Sequence, residues 1–174
     1  IFQSSKVFSD GTQFPELMHL PPKEAKQFIT NANKGGLKCF RYLNTVFPLE
    51  PRSMFYDYLY IKALNQVKST SADLVNFDIF TDIEFNEKKQ INCQARSCAI
   101  YSYLLKSASL DFHLSSIENF AKLYPSISTA VCMISVGISD FMDLITSFPT
   151  VVKSCPTDFI TSLFTTLLFA GLIL

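Results

Sequence analysis

The sequence predicts a mainly α-helical fold: a single globular domain, residues 1–174, of roughly six to eight helices with a small N-terminal β-hairpin. Three observations support this prediction. A chain of 174 residues is long enough for one domain with a real core and too short for two of ordinary size. Apolar residues recur at helical spacing in segments bounded by Pro, Gly and capping residues. A favoured two-residue hairpin turn, Asp10-Gly11, lies near the N-terminus.

The predicted hairpin is centred on Asp10-Gly11. Pairing across this turn places Val7 opposite Phe14 and Ser9 opposite Thr12. Because an isolated hairpin is only marginally stable in water, we expect it to pack on the rest of the domain.

Two helical segments are predicted before residue 50. The first begins at Pro21-Pro22 and stops at Gly35-Gly36. The second runs from Leu37 to Phe47 and ends before Pro48. On the first segment the apolar residues at helical spacing are Ala25, Phe28, Ile29 and Ala32.

The strongest predicted helix begins at Glu50-Pro51 and runs to about Val67. One broad face is apolar, and Met54, Tyr58 and Ile61 interrupt the polar side to which Asp57 belongs. A helix that is apolar on nearly two faces is either central to the fold or in contact with a partner, and we favour a central position.

Two more helices are predicted further along the chain. Cys93 to Ala108 forms an amphipathic helix with Cys93 and Cys98 as small core residues. Ser115 and Glu118 then form a capping box at the start of a helix that ends before Pro125.

Residues 125–174 form a low-charge hydrophobic region whose charged residues are Asp140, Asp143, Lys153 and Asp158. The last part, Phe159 to Leu174, contains no charge. It is shorter than the ~20 residues of a membrane-spanning helix, so we favour a buried helix that closes the core. A membrane-associated tail is the alternative.

Composition argues against several classes of protein. Fifteen basic and fifteen acidic residues cancel, so the chain offers no basic surface for nucleic acid. An odd set of five cysteines does not suggest a disulfide framework, and no Asn-x-Ser/Thr sequon occurs. Both observations favour an intracellular, cytoplasmic location. The many Phe and Tyr residues predict an aromatic-rich core.

The best candidate for chemistry is the acidic segment Asp78–Asn86. In an extended chain Asp82, Glu84 and Asn86 share one face, and three oxygen ligands side by side suit Mg²⁺. Arg96 lies close in sequence and could hold a phosphate group beside such a metal. The simpler interpretation is a solvated loop whose carboxylates pair with nearby basic residues, and we favour it.

Two functions are compatible with these features. The first is a helical interaction domain that binds a protein partner without a cofactor, with membrane association as an option. The second is a metal-dependent enzyme on a phosphate-containing substrate, with Asp82, Glu84 and Arg96 as catalytic residues and Mg²⁺ as cofactor. Because the sequence holds no Walker loop, dinucleotide-binding motif or hydrolase elbow, we favour the interaction domain.

Overall fold

The computed structural model describes residues 1–80 and 92–125. Helices dominate this part of the chain, and a small antiparallel sheet lies at its N-terminal end. The predicted fold class is therefore confirmed. Three of the described α-helices have ten residues or more, and three have four or five.

The sheet has three antiparallel strands in the order β1-β2-β3: β1 (Lys6–Phe8), β2 (Leu37–Tyr42) and β3 (Thr45–Phe47). The chain turns at Asp10-Gly11, as predicted, and Gly11 takes a positive φ of 85° that favours glycine. The predicted register is wrong by one residue, since Val7 faces Gln13 and not Phe14. The main partner of β1 is β2, because the segment after the turn forms a single bridge to β1 and then leaves the sheet.

The prediction of a helix from Leu37 to Phe47 is wrong, because this segment is the β2–β3 hairpin. Tyr42 pairs with Thr45 across a two-residue turn, and Leu43 takes a positive φ of 53°. One face of the hairpin carries Phe40 and Phe47, whose rings lie 4.6 and 4.9 Å from the ring of Phe55. Burial of this aromatic face against the helical core stabilises strands here.

The first predicted helix is confirmed as α1 (Pro22–Asn31), which follows a short 3₁₀ helix (Pro15–His19). Ala25 and Ile29 of α1 are buried, whereas Phe28 is exposed and meets only the edge of the small core through the ring of Phe14. This small core contains Phe8, Leu17, Ala25 and Ile29, with Phe14 packed against it.

The main core surrounds α2 (Met54–Gln66), and the predicted central position of this helix is confirmed. Apolar side chains on nearly every side of α2 are buried, so the helix leaves little apolar surface for a partner. The aromatic core is confirmed as well, since Phe55 alone contacts the rings of Phe2, Phe40, Tyr42 and Phe47. The buried residues of α2 are Met54, Phe55, Asp57, Leu59, Tyr60, Ile61, Ala63 and Leu64.

The long helix predicted after residue 92 is confirmed and packs against α2, with Cys93 and Cys98 buried at this contact. The predicted cap of the next helix is wrong by one residue. Ser116 is the N-cap and accepts a hydrogen bond from the backbone amide of Asn119, whereas Ser115 donates to the carbonyl of Phe112. The remaining helices are α3 (Lys68–Ser71), a 3₁₀ helix (Ala72–Asn76), α4 (Gln94–Lys106), α5 (Leu110–Leu114) and α6 (Ile117–Ala121).

Within residues 1–80 and 92–125, no helix is both long and apolar enough to cross a membrane. The low-charge region predicted for 125–174, including the tail Phe159–Leu174, lies outside the described residues from residue 126 onward. Both interpretations of that tail therefore stay predictions.

Candidate functional site

The most unusual group in the core is the carboxylate of Asp57, which lies in α2 and has no solvent exposure. Three hydroxyl groups donate hydrogen bonds to it. Ser97 of α4 donates to Oδ1 across 2.7 Å. Tyr124 and Ser53 donate to Oδ2 across 2.7 and 3.0 Å. Because buried charges are costly unless they are hydrogen-bonded, these donors explain how a carboxylate is tolerated here.

Arg96 completes this cluster from the first turn of α4. Its Nε lies 3.6 Å from Oδ2 of Asp57, and its guanidinium lies over the ring of Tyr124 at 5.5 Å from the ring centroid. The Arg96 side chain is 23% exposed, so the guanidinium connects the buried carboxylate to the surface. We call Ser53, Asp57, Arg96, Ser97 and Tyr124 the Asp57 cluster.

The protonation of the Asp57 cluster follows from its burial. Loss of solvent raises the pKa of Asp57, and the opposing effects of Arg96 and the three hydroxyl donors are smaller. Burial, followed by the neighbouring charge of Asp57, raises the pKa of Tyr124 far above its usual range. Tyr124 therefore keeps its proton and stays a hydrogen-bond donor at any ordinary pH.

Backbone geometry at the start of α2 contributes to the cluster. Ser53, the residue that precedes the helix, has a positive φ of 65°, which is uncommon for a residue other than glycine. Its side chain donates to Asp57 and makes no capping bond to the helix backbone. Strained backbone of this kind is often found at functional sites, where surrounding contacts maintain it.

The Asp57 cluster has two properties, one structural and one electrostatic. It joins α2, α4 and the segment after α6 through polar contacts within the core. It also presents a cation, because Ser53 and Arg96 reach the surface while Asp57, Ser97 and Tyr124 are buried. Asp57 has no contact with solvent in this conformation, so a ligand would meet Arg96 first.

A surface pocket of about 360 Å³ lies at the other end of α2 and α4. Its apolar part comes from α4 and α5, and its polar part from Asn65, Lys68 and Asp111. Oδ1 of Asn65 is buried and has no hydrogen-bond partner within the part of the chain that the structure describes. The apolar and aromatic lining residues are Ala72, Tyr101, Leu104, Leu105, Ala108 and Leu110.

Exposed apolar side chains occur on the β2–β3 hairpin and also around the 3₁₀ helix and α1, where Met18, Leu20 and Phe28 are exposed. Leu43 at its turn is 72% exposed and Val46 is 53% exposed, and Leu49 lies just beyond β3. β3 is also an edge strand of the sheet, and edge strands can pair with another chain. The hairpin therefore exposes apolar side chains beside an unpaired strand edge, whereas most apolar side chains of α2 are buried.

Among the residues predicted to form a catalytic or metal site, Arg96 lies in the described part of the chain and belongs to the Asp57 cluster. Asp82, Glu84 and Asn86 lie outside the described residues, so the Mg²⁺ site stays a prediction. Among residues 1–80 and 92–125, no group of three His, Cys, Asp or Glu side chains could hold a metal ion.

The cysteines and histidines make no catalytic pair in the described ranges. Cys39 is half-buried, and Cys93 and Cys98 are buried. Nδ1 of His113 lies 2.7 Å from the carbonyl oxygen of Asn119, so this ring links α5 to α6.

Sequence reasoning missed Asp57 as a site residue, because a carboxylate within a helix is ordinarily assigned to its polar face. The residues on both sides, Phe55 to Ile61, are otherwise apolar or aromatic. A single Asp inside such a run was the available signal.

A family of known proteins matches this chain. The family described as DarT1-associated NADAR antitoxin matches residues 1–131 of 174, a range that includes the whole Asp57 cluster, the pocket and the hairpin. No curated protein matches the chain. Because the family match covers well over half of the sequence, the chain belongs to the DarT1-associated NADAR antitoxins.

Proposed function

We propose that this protein is an antitoxin that neutralises a DarT1 toxin. The observation that carries the proposal is the family match over residues 1–131, which include every residue that the structure describes. An antitoxin can act in two ways: it can bind the toxin, or it can chemically undo what the toxin has done. The structure offers a separate feature for each.

Direct binding is supported by the β2–β3 hairpin. Leu43 and Val46 expose large apolar side chains on an edge of the sheet, and neither belongs to a core cluster. Apolar side chains of this kind supply affinity when a partner removes them from water. In this mode the hairpin contacts the toxin, and the helical core serves as a rigid support.

Chemical reversal is the second candidate, and the Asp57 cluster favours it. A buried carboxylate with a raised pKa beside an arginine and a tyrosine is a combination that active sites often contain. In this mode Arg96 contacts the substrate, and Asp57 and Tyr124 hold Arg96 in position.

The two modes are separated by co-expressing the chain with a DarT1 toxin and purifying the toxin through an affinity tag. Direct binding predicts that the antitoxin co-purifies, and that Leu43→Asp or Val46→Asp abolishes both co-purification and protection of the cells. Gln27→Asp, on the exposed side of α1, is the matched control and should change neither. Protection without co-purification, lost in Arg96→Lys but kept in the hairpin variants, would favour chemical reversal. Absence of protection by the unmodified chain would overturn the proposed function.

A further inference from the structure

We propose that the pocket between α2, α4 and α5 binds a free α-amino acid with an apolar side chain. None of the residues that line this pocket belongs to the Asp57 cluster. Asn65 follows Asp57 on α2 by eight residues, which is about 12 Å along the helix axis. The inference goes beyond antitoxin activity and does not rest on it, because it concerns a separate binding site of the chain.

The first argument is the size and the apolar lining of the pocket. Its volume of about 360 Å³ lies near the lower end of the range of small-molecule sites, about 300–1,000 Å³. Leu104 and Leu105 of α4 line it, and Ala108 and Leu110 line it at the turn into α5. A pocket of this size and lining suits a small ligand with one compact apolar group.

The second argument is the pair of opposite charges at the pocket. Lys68 and Asp111 both line it, and both are exposed. Within residues 1–80 and 92–125, neither side chain forms an ion pair with the other or with a third residue. The two charges are therefore available to a ligand that carries one charge of each sign. A zwitterion fits this arrangement better than an anion or a cation does.

The third argument is the side-chain amide of Asn65. Its buried Oδ1 has no hydrogen-bond partner among the described residues, and a buried acceptor without a donor costs free energy. The hydroxyl of Tyr101 also lines the pocket but does not supply that donor. Ser71 uses its proton on the carbonyl oxygen of Leu64 across 2.8 Å, so Tyr101 donates to Ser71 across 3.1 Å. Because the last torsion of an asparagine is soft, rotation of the amide can turn Oδ1 toward a donor in the pocket.

Together these features select an α-amino acid. Its ammonium group donates to Oδ1 of Asn65 and faces Asp111, and its carboxylate faces Lys68. Its side chain packs on the leucines of α4 and leaves water, which favours binding. A simple amine has no carboxylate for Lys68, and a simple carboxylic acid has no donor for Asn65.

The test is an NMR titration of the full chain, in which the side-chain amide resonances of Asn65 are followed as L-phenylalanine is added. We expect a saturable shift of these resonances. Three relatives of the probe should bind more weakly. Glycine lacks the apolar group, N-acetyl-L-phenylalanine lacks the ammonium group, and L-phenylalaninamide lacks the carboxylate.

Variants measured by isothermal titration calorimetry locate the ligand. Lys68→Gln should weaken binding of L-phenylalanine about two- to fivefold, as expected for an exposed ion pair, and leave binding of L-phenylalaninamide unchanged. Lys38→Gln is its matched control, because Lys38 is exposed on β2 and does not line the pocket. Asn65→Leu is close to Asn in size and removes the amide, so the affinity should fall at least about tenfold. Gln66→Leu removes an exposed amide next to Asn65, outside the pocket lining, and should bind like the parent chain.

The proposal is overturned by any of three results. The first is the absence of a saturable shift when L-phenylalanine is added to the unmodified chain, a result that needs no variant to fold. The second is equal affinity for L-phenylalanine and for either blocked relative, which would mean that the pocket does not recognise a zwitterion. The third is equal affinity of Asn65→Leu and Gln66→Leu, which would place the ligand outside this pocket.

Discussion

Replacing Tyr124 by Phe removes one hydroxyl group from the Asp57 cluster and leaves the ring in place. That hydroxyl donates to Oδ2 of Asp57 across 2.7 Å, and both side chains are buried. Hydrogen bonds to charged groups contribute about 1.5–3 kcal/mol, and water cannot replace the lost donor at a buried carboxylate. The ring contacts with Phe120 and Arg96 remain. We therefore expect Tyr124→Phe to lower the free energy of unfolding by about 1.5–3 kcal/mol.

Urea denaturation of the full chain, followed by circular dichroism, measures this difference. Tyr103→Phe is the matched control, because Tyr103 lies on α4 with 59% of its surface exposed. An exposed substitution of this kind changes stability by less than about 0.5 kcal/mol. If Tyr124→Phe costs no more than Tyr103→Phe, the hydroxyl does not stabilise the Asp57 carboxylate and the description of the cluster is wrong.

Two further predictions concern stability. Because burial raises the pKa of Asp57, the native state binds its proton more tightly than the unfolded state does. The stabilisation that Asp57 contributes is therefore fully present below its pKa in the unfolded state, about 3.9. It is lost as the pH rises through the raised pKa of Asp57 in the native state. The free energy of unfolding, measured by urea denaturation at several pH values across this range, should fall in the parent chain and not in Asp57→Asn. If this free energy depends on pH equally in the two chains, the prediction is contradicted. Gly35→Ala should cost about 1–3 kcal/mol, because the added Cβ would collide with Oγ of Ser9 and lie 3.0 Å from the amide nitrogen of Asp10. A Cβ added at Gly36 would have no atom within 4 Å, so Gly36→Ala should leave the free energy of unfolding nearly unchanged in the same urea denaturation experiment.

The helices could be predicted where local signals and burial agree. Pro21-Pro22 marks the start of α1 and Glu50-Pro51 precedes α2, and apolar residues at helical spacing follow each of them. The α4 helix was predicted in the same way. In these elements the face that the spacing selects is largely the face that the core buries, so the sequence alone is sufficient.

The β2–β3 hairpin could not be predicted because the first residue of its Leu43-Asn44 turn is not one that such turns usually have. Hairpin turns that need a positive φ commonly use Gly or Asn at that position, and this one places Leu43 there. Asn44 by itself is a weak turn signal, and the apolar residues of this segment also fit a helix. Packing of Phe40 and Phe47 on Phe55, which comes later in the chain, decides between the two structures.

The Asp57 cluster could not be predicted from the sequence for a related reason. Ser97 and Tyr124 lie 40 and 67 residues from Asp57 in the sequence. Nothing local marks them as partners, and the spacing of apolar residues assigns the carboxylate to a solvent-facing side. Arg96 was singled out for phosphate binding, but because of its predicted neighbours Asp82, Glu84 and Asn86, which lie outside the described residues.

Survival of cells that express a DarT1 toxin tests the central claim most directly. Colony counts are measured with the toxin alone, with the toxin and the full chain, and with the toxin and an unrelated helical protein at the same expression level. The antitoxin assignment predicts that this chain restores colony counts by several orders of magnitude and that the unrelated protein does not. Equal counts with and without this chain, when it is expressed and folded, would contradict the assignment.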